Sequence, residues 1–216
     1  MRQMYARDYR VMADQKCSQY TNDLALIYFI YSLLMGAISG FTSGLATIVI
    51  SGPVMIALIM IIQKVFRWRR PQIEYLFDGF KDFGNTFILY LLQSVYVFLW
   101  SLLFFIPGIV KAYSYSMAFY IYNDNKFLSA DEAITKSRQI MDGHKWELFC
   151  LHLSYIGWEL LSIFTCGILM FWIQPKIEMA TYLFYLNITG QDLEPTIKTH
   201  SDNLSSVEPM KDVELL

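Results

Sequence analysis

The short turns between paired apolar segments of this chain contain no lysine or arginine, whereas the long polar stretches contain several each. All 17 basic residues except Lys111 and Lys176 lie in four such stretches. These are residues 1–23, 64–85, 123–146 and 191–216. Lysine and arginine in short loops are retained on the cytoplasmic side of a membrane. The asymmetry therefore indicates a chain that crosses a membrane several times, with the four basic stretches on one face.

Apolar segments of suitable length separate these stretches in a chain that is 55% hydrophobic. Five segments have about 18–22 residues, which as helix matches a hydrocarbon core of about 30 Å. They are residues 24–41, 45–62, 86–106, 148–165 and 167–188. A sixth, 109–122, is shorter and could cross a thinned bilayer or dip in and return. Since only six crossings put every basic stretch on one face, we expect a short crossing, with Lys111 reaching the outer interface.

We therefore predict an all-α, polytopic membrane protein with about six transmembrane helices in three hairpins and both termini in the cytoplasm. Residues 24–190 form the membrane domain, preceded by a cytoplasmic amphipathic lead-in, 1–23. Interfacial amphipathic segments are expected at about 64–85 and 123–146. The acidic residues 191–216 are too poor in apolar groups to offset the entropy of ordering, so a disordered cytoplasmic tail is expected.

The best-defined lead-in helix begins at Ser129, which forms a capping box with Glu132, and ends at Gly143. One face carries Ala133, Ile134, Ser137, Ile140 and Met141. We expect this face to lie on the inner membrane surface, the alternative being an ordinary solvated connector. The lead-in at the N-terminus repeats the pattern more weakly, with Tyr5, Tyr9 and Met12 at helical spacing.

Arginine and tryptophan cluster where helices should meet the lipid headgroups. The expected interfacial anchors are Arg67, Trp68, Arg69, Arg70 and Trp146. Arginine with interleaved aromatics can also bind nucleic acid, but directly after a spanning helix it favours contact with anionic lipid headgroups. The sequence therefore predicts a bilayer with anionic headgroups as partner, and no nucleic acid.

Ionisable residues at membrane depth are the candidate site, since each costs about 2.5–3.5 kcal/mol on insertion. His152, Tyr155 and Glu159 share one helix face, and Lys176 and Glu178 follow Pro175 in the last segment. In one interpretation Glu159 pairs with Lys176 in a polar cavity, while His152 and Glu178 relay protons or bind a cation. In the other, the pair only fixes the register of two helices.

Signatures of catalysis and of metal binding are missing from the sequence. It contains no G-x-S-x-G, no H-E-x-x-H and no phosphate-binding loop, so we predict no catalytic residues and no enzymatic activity. Cys17, Cys150 and Cys166 are too scattered for a metal site, and no cofactor is expected.

Several motifs resemble a family of bacterial integral membrane proteins known as domain of unknown function 975. The most specific lie in residues 141–149 and 153–158, with Trp172-Ile173-Gln174-Pro175 beyond them. Residues 106–109 and 76–80 are similar to its other motifs. The resemblance covers roughly residues 5–190. It implies a bacterial, Gram-positive cytoplasmic membrane, and it implies no activity.

Three functions from different classes remain open at this point. The one that we favour from the sequence is a non-enzymatic protein that binds a lipid, a peptide or a membrane-protein partner, itself included, and organises the envelope. The second is a transporter or channel subunit with a polar site at the bilayer midplane around Glu159. The third is a membrane-embedded enzyme acting on lipid. A groove open to lipid would favour the first, and a polar cavity around Glu159 the second.

Overall fold

A computed structural model describes residues 4–42, 45–103, 105–165 and 167–193, and every regular element in these residues is a helix. The helices are α1 (Ala6–Ser18), α2 (Thr21–Thr42), α3 (Leu45–Phe66), α4 (Tyr75–Asp78), α5 (Phe83–Leu103), α6 (Phe105–Tyr115), α7 (Ala118–Asp124), α8 (Ala130–Ile140), α9 (Lys145–Leu153), α10 (Ile156–Phe164) and α11 (Met170–Thr189). A 3₁₀ turn, Gly79–Asp82, joins α4 to α5. The predicted all-α class is confirmed.

Four stretches of helix in the described residues are long and apolar enough to cross a membrane. They are Thr21–Gly40, Ala46–Phe66, Tyr75–Leu102 and Lys145–Phe164. Each coincides with one of the predicted segments, although a turn at Ser154 and Tyr155 divides the last of them into α9 and α10. The chain therefore has the character of a membrane protein.

The other two predicted segments are helical but differ from expectation. Most of the segment 167–188 lies in α11, which begins at Met170, continues through Pro175 and is too polar to join the four apolar stretches. Residues 109–122 are not one helix, because α6 ends at Tyr115 and α7 begins at Ala118. Pro107 and Gly108, which were expected in a turn, lie in the first turns of α6.

Burial divides the bundle into two parts. The packed region is one continuous core built from α1, the start of α2, the end of α3, α7, α8, α9 and most of α11. The exposed region comprises residues 29–40, 91–102 and 156–165, in which Ser162 is the one buried residue. Its large apolar side chains include Leu33, Phe98, Leu102, Ile163 and Phe164, all of them exposed.

The two lead-in helices pack on protein. The capping box that begins α8 is present, and the Ser129 backbone and hydroxyl groups that bond the Glu132 carboxylate lower the pKa of that carboxyl group. The apolar face of α8 is buried against α5, α6 and α7, so the expectation that it lies on the membrane is wrong. In α1 the buried residues are Tyr9, Ala13 and Cys17, which face α11, whereas Tyr5 is exposed.

Close helix approach in the packed region depends on two glycines. A Cβ added at Gly52 would collide with the backbone carbonyl of Thr86 at the start of α5. One added at Gly79 would collide with the backbone of α3 at Pro53 and Ala57. Small residues at such crossings let helix backbones approach, so these glycines hold the middle of α3 against α4, the 3₁₀ turn and α5.

Two expectations fall on residues outside the described part of the chain. The predicted tail lies outside the described residues from residue 194 onward, and so does Cys166.

Candidate functional site

A cavity of about 560 Å³ lies where the packed and exposed regions meet. It is bounded by α3, α5, α6, α7, α9, α10 and α11. His152, Glu159 and Glu178 line it, so the structure brings together three of the five residues predicted for the intramembrane cluster. Further polar lining residues are Gln93, Tyr113, Ser116, Tyr120, Gln174 and Thr181.

His152 is held in the cavity wall by two hydroxyl groups. Its Nε2 lies 3.2 Å from Thr181 Oγ1, and its Nδ1 lies 3.4 Å from Tyr113 Oη. The Thr181 hydroxyl donates its proton to the Ile177 carbonyl at 2.9 Å, so it can only accept from His152. The imidazole therefore carries its proton on Nε2 and accepts from Tyr113 at Nδ1. Both ring nitrogens are engaged, which orients the ring between α6 and α11.

Glu178 lines the cavity from α11. Tyr120 Oη donates a hydrogen bond to its carboxylate at 3.2 Å. Tyr120 in turn stacks on Tyr182 and Tyr185 of α11, with ring centroids 6.0 and 5.4 Å apart. The stack fixes the phenol that holds Glu178, so this carboxylate is pre-oriented.

Glu159 and Gln93 both line the cavity, and each has an acceptor group without a hydrogen-bond partner among the described residues. The Glu159 carboxylate forms no ion pair and no hydrogen bond with any residue that the structure describes. Gln93 Oε1 is buried and has no hydrogen-bond partner there either. The described lining residues include two carboxylates and a histidine but no lysine or arginine. Such a cavity offers negative charge and hydrogen-bond acceptors to whatever enters it.

Lys176 and Tyr155 lie elsewhere, which corrects the predicted pairing of Glu159 with Lys176. Lys176 Nζ is 2.7 Å from Asp14 Oδ1, so the ion pair joins α11 to α1. Tyr155 is buried, with the Arg10 guanidinium 5.3 Å from its ring centroid. Both residues take part in holding α1 on the bundle, because Arg10 also donates to the Ser154 carbonyl at 3.1 Å.

The interruption between α6 and α7 borders the cavity and is supported from α8. Ser137 Oγ donates to the Ser114 carbonyl at 2.8 Å and accepts from the Met117 N–H at 3.2 Å. Irregular backbone inside a membrane protein needs such partners for its freed polar groups. The sequence places Ser137 on the otherwise apolar face of α8. A polar residue on such a face is the one signal in the sequence that its hydroxyl bonds to another element.

The predicted interfacial anchors are exposed in the described structure. Arg67, Trp68, Arg69 and Arg70 follow α3 directly, and Trp146 is 70% exposed. Trp68 adopts a left-handed conformation, φ 57°, and ends α3 with Arg69 N–H bonded to the Lys64 carbonyl. Lys16 Nζ lies 4.4 Å from the centre of the indole, which ties the end of α3 to α1.

Metal ligands do not gather in the described part of the chain, where no group of three His, Cys, Asp or Glu side chains is close enough to hold an ion. Cys17 is buried beside the Pro175 carbonyl, and burial raises the pKa of its thiol to about 12. A thiol in that state is a poor metal ligand.

Comparison with known proteins gives one match. Residues 104–192 match the model of a family described as "Protein of unknown function (DUF975)". The resemblance predicted from the motifs is confirmed over these residues, which include every lining residue of the cavity from α6 to α11. No curated protein and no solved structure matches the chain.

Proposed function

We propose that this is a bacterial plasma-membrane protein with six crossings and cytoplasmic termini. Three observations support the topology. They are the four long apolar stretches, the clustering of basic residues in the polar stretches, and the helical structure of the two remaining segments, α11 and residues 105–124. α11 can be polar because its neighbours shield it from lipid. Residues 105–124 form α6 and α7 almost without interruption, about 30 Å of helix at 1.5 Å per residue. Exposed Arg67, Arg69 and Arg70 then face anionic headgroups.

We further propose that the cavity binds a small solute carrying a primary ammonium group, and that the protein carries this solute across the membrane. The observation that supports this is the convergence of Glu159 and Glu178 in a space of about 560 Å³ lined by no cationic side chain of the described residues. An ammonium group supplies both the charge and the N–H donors that Glu159 and Gln93 Oε1 lack. A cavity of this size suits a small organic ligand.

The helix interruptions beside the cavity are the second support for a transport role. Solute sites in transporters are typically formed where membrane helices are discontinuous. Here the α6–α7 interruption borders the cavity at Ser116, and the α9–α10 interruption falls between His152 and Glu159. The activity proposed is non-enzymatic binding and transport, in which His152, with hydroxyl groups within hydrogen-bond distance of both ring nitrogens, helps to shape the cavity wall.

A second candidate function, binding of a lipid, a peptide or another membrane protein, is favoured by the exposed region. Phe98, Leu102 and Phe164 present large apolar side chains that no described residue covers. In a bilayer this surface contacts lipid, and a partner helix or a second copy of the chain would cover it equally well. The cavity does not require this role, so we place it second.

The test uses putrescine, a diammonium ion that does not cross lipid unaided. Purified protein in detergent should melt at a higher temperature with putrescine, and proteoliposomes should take up radiolabelled putrescine faster than protein-free vesicles. Glu159→Gln and Glu178→Gln should each raise the half-saturating concentration about tenfold, because each removes a charge-assisted hydrogen bond. Glu147→Gln is the matched control, since Glu147 is an exposed acid of α9 that faces His144 and lies outside the cavity.

Each outcome separates the two functions. A melting shift without uptake would support ligand binding and remove transport. Neither a shift nor uptake, or equal losses in Glu147→Gln and Glu159→Gln, would contradict the proposed cation site.

The six crossings can be tested with single cysteines in a background where Cys17, Cys150 and Cys166 are serine. A cysteine at Ile106, which is 73% exposed, should react with a membrane-impermeant maleimide added outside intact cells. A cysteine at Ser129 should react only after the cells are opened. Outside labelling at Ser129 would show that residues 105–124 do not cross.

A further inference from the structure

A second recess, of about 470 Å³, lies beside α6, α8 and α9 and shares no lining residue with the cavity described above. Three cationic side chains from three helices line it: Lys111 of α6, Arg138 of α8 and Lys145 of α9. Lys111 was expected at the outer interface, and the structure places it in one recess with Arg138 and Lys145 of the basic stretch 123–146.

The charge of the recess is only partly neutralised. Asp142 is the one acid among the described lining residues, and its Oδ1 lies 3.8 Å from Lys145 Nζ. Arg138 forms no ion pair with a described residue, and Lys111 Nζ lies 4.4 Å from the centre of the Trp100 ring. A net charge of about +2 therefore remains for a ligand, which fits a phosphate group.

Neutral hydrogen-bonding groups complete the wall. Ser114, Thr135 and Gln139 line the recess beside the cations. The side chains of Thr135 and Gln139 have no hydrogen-bond partner among the described residues, so their donors are available to a ligand. The planar guanidinium of Arg138 can bond two phosphate oxygens at once, which a lysine cannot do.

The recess lies at a boundary between apolar and polar surface. On one side α5 and α6 expose apolar side chains, among them Leu102, Ile109 and Val110. On the other side α8 and the turn that follows it expose Lys136, Gln139 and Asp142. Lipid headgroups meet acyl chains at such a boundary, and basic pockets between membrane helices bind phosphorylated headgroups.

We propose that Lys111, Arg138 and Lys145 form a binding site for a phosphate group, carried by a phospholipid headgroup or free in solution. The site is independent of the proposed ammonium cavity, with which it shares no lining residue. The exposed apolar surface beside it favours the phospholipid, because acyl chains would lie along α5 and α6 while the headgroup enters the recess.

The experiment measures thermal unfolding of the full chain in a non-ionic detergent during titration with three probes. Dioleoylphosphatidylglycerol has both a phosphate group and acyl chains. Dioleoylglycerol has the same acyl chains on glycerol but no phosphate, and inorganic phosphate has no acyl chains. The phospholipid should raise the melting temperature at low molar excess and dioleoylglycerol should not. If inorganic phosphate raises it with the same half-saturating concentration, the ligand is soluble phosphate.

Variants assign the effect to the recess. Arg138→Gln and Lys111→Met should each raise the half-saturating phospholipid concentration about tenfold, and Arg138→Lys should recover part of that loss. Lys136→Gln is the matched control, because Lys136 is an exposed cation of the same helix outside the recess, and it should change the value less than twofold. Equal losses in Lys136→Gln and Arg138→Gln, or no stabilisation by phospholipid or by phosphate, would overturn the proposal.

Discussion

α10 and α11 follow each other in the chain but have opposite surroundings. Twelve of the 20 residues of α11 are buried, whereas Ser162 is the only buried residue among the nine of α10. The more buried helix is the more polar one, since α11 contains Gln174, Lys176 and Glu178. Polar side chains in a membrane helix are costly unless protein partners surround them, whereas an apolar helix can face lipid. In this pair of helices burial therefore follows polarity.

The same division runs along single helices. In α2, Leu24 is fully buried, whereas Leu33 is 64% exposed. Since both are leucines in one helix, the difference comes from position: the start of α2 packs against α11, and its later turns leave the core. The packed region should therefore hold most of the stability that depends on side-chain contacts.

Leu24→Ala should show the largest contrast between the regions. It leaves a cavity in the core and should lower the free energy of unfolding by about 3 kcal/mol. Leu33→Ala removes the same atoms from an exposed position and should cost less than about 0.5 kcal/mol. Unfolding by sodium dodecyl sulfate titration measures both. Equal losses would mean that α2 is covered along its whole length.

Gly52→Ala should come next, at about 2 kcal/mol, because the added methyl group collides with the Thr86 carbonyl. Gly36→Ala is the matched control: it too lies within a helix, but no atom comes within 4 Å of its added Cβ. It should leave stability unchanged or raise it slightly, since alanine favours helix over glycine. The same unfolding titration applies, and a tolerated Gly52→Ala would argue against close approach of α3 and α5.

Ser137→Ala should cost about 1–2 kcal/mol, because it removes the partner of two backbone groups at the α6–α7 interruption. Ser32→Ala, on exposed α2, removes a hydroxyl that bonds only the Phe29 carbonyl of its own helix and should have little effect. Hydrogen exchange at Met117 should also become faster in Ser137→Ala. Unchanged exchange there would show that α8 does not support the interruption.

The ion pair between Asp14 and Lys176 should have the smallest effect. Their side chains are 58% and 34% exposed, so a double-mutant cycle with Asp14→Asn and Lys176→Met should give a coupling energy below about 1 kcal/mol that weakens with salt. Coupling between Lys176 and Glu159 instead would restore the pairing that the sequence suggested.

Local patterns in the sequence predicted the positions of the apolar helices and the Ser129–Glu132 capping box. They also placed His152 and Glu159 on one face, and the structure puts both in one cavity. The partner of Lys176 could not be predicted, because Asp14 lies 162 residues earlier and nothing local relates the depth of α1 to that of α11. The orientation of α8 was missed for a different reason: an apolar face pairs equally well with lipid and with protein.

The central claim is that the exposed region contacts lipid and the packed region does not. Carbene labelling tests it most directly, using a small apolar diazirine dissolved in liposomes that contain the protein, with the labelled sites mapped by mass spectrometry. We predict heavy labelling in residues 91–102 and 156–165, and little in α7, in the buried face of α8 and in residues 179–187. Equal labelling of both groups, or stronger labelling of α8 than of α10, would contradict the account.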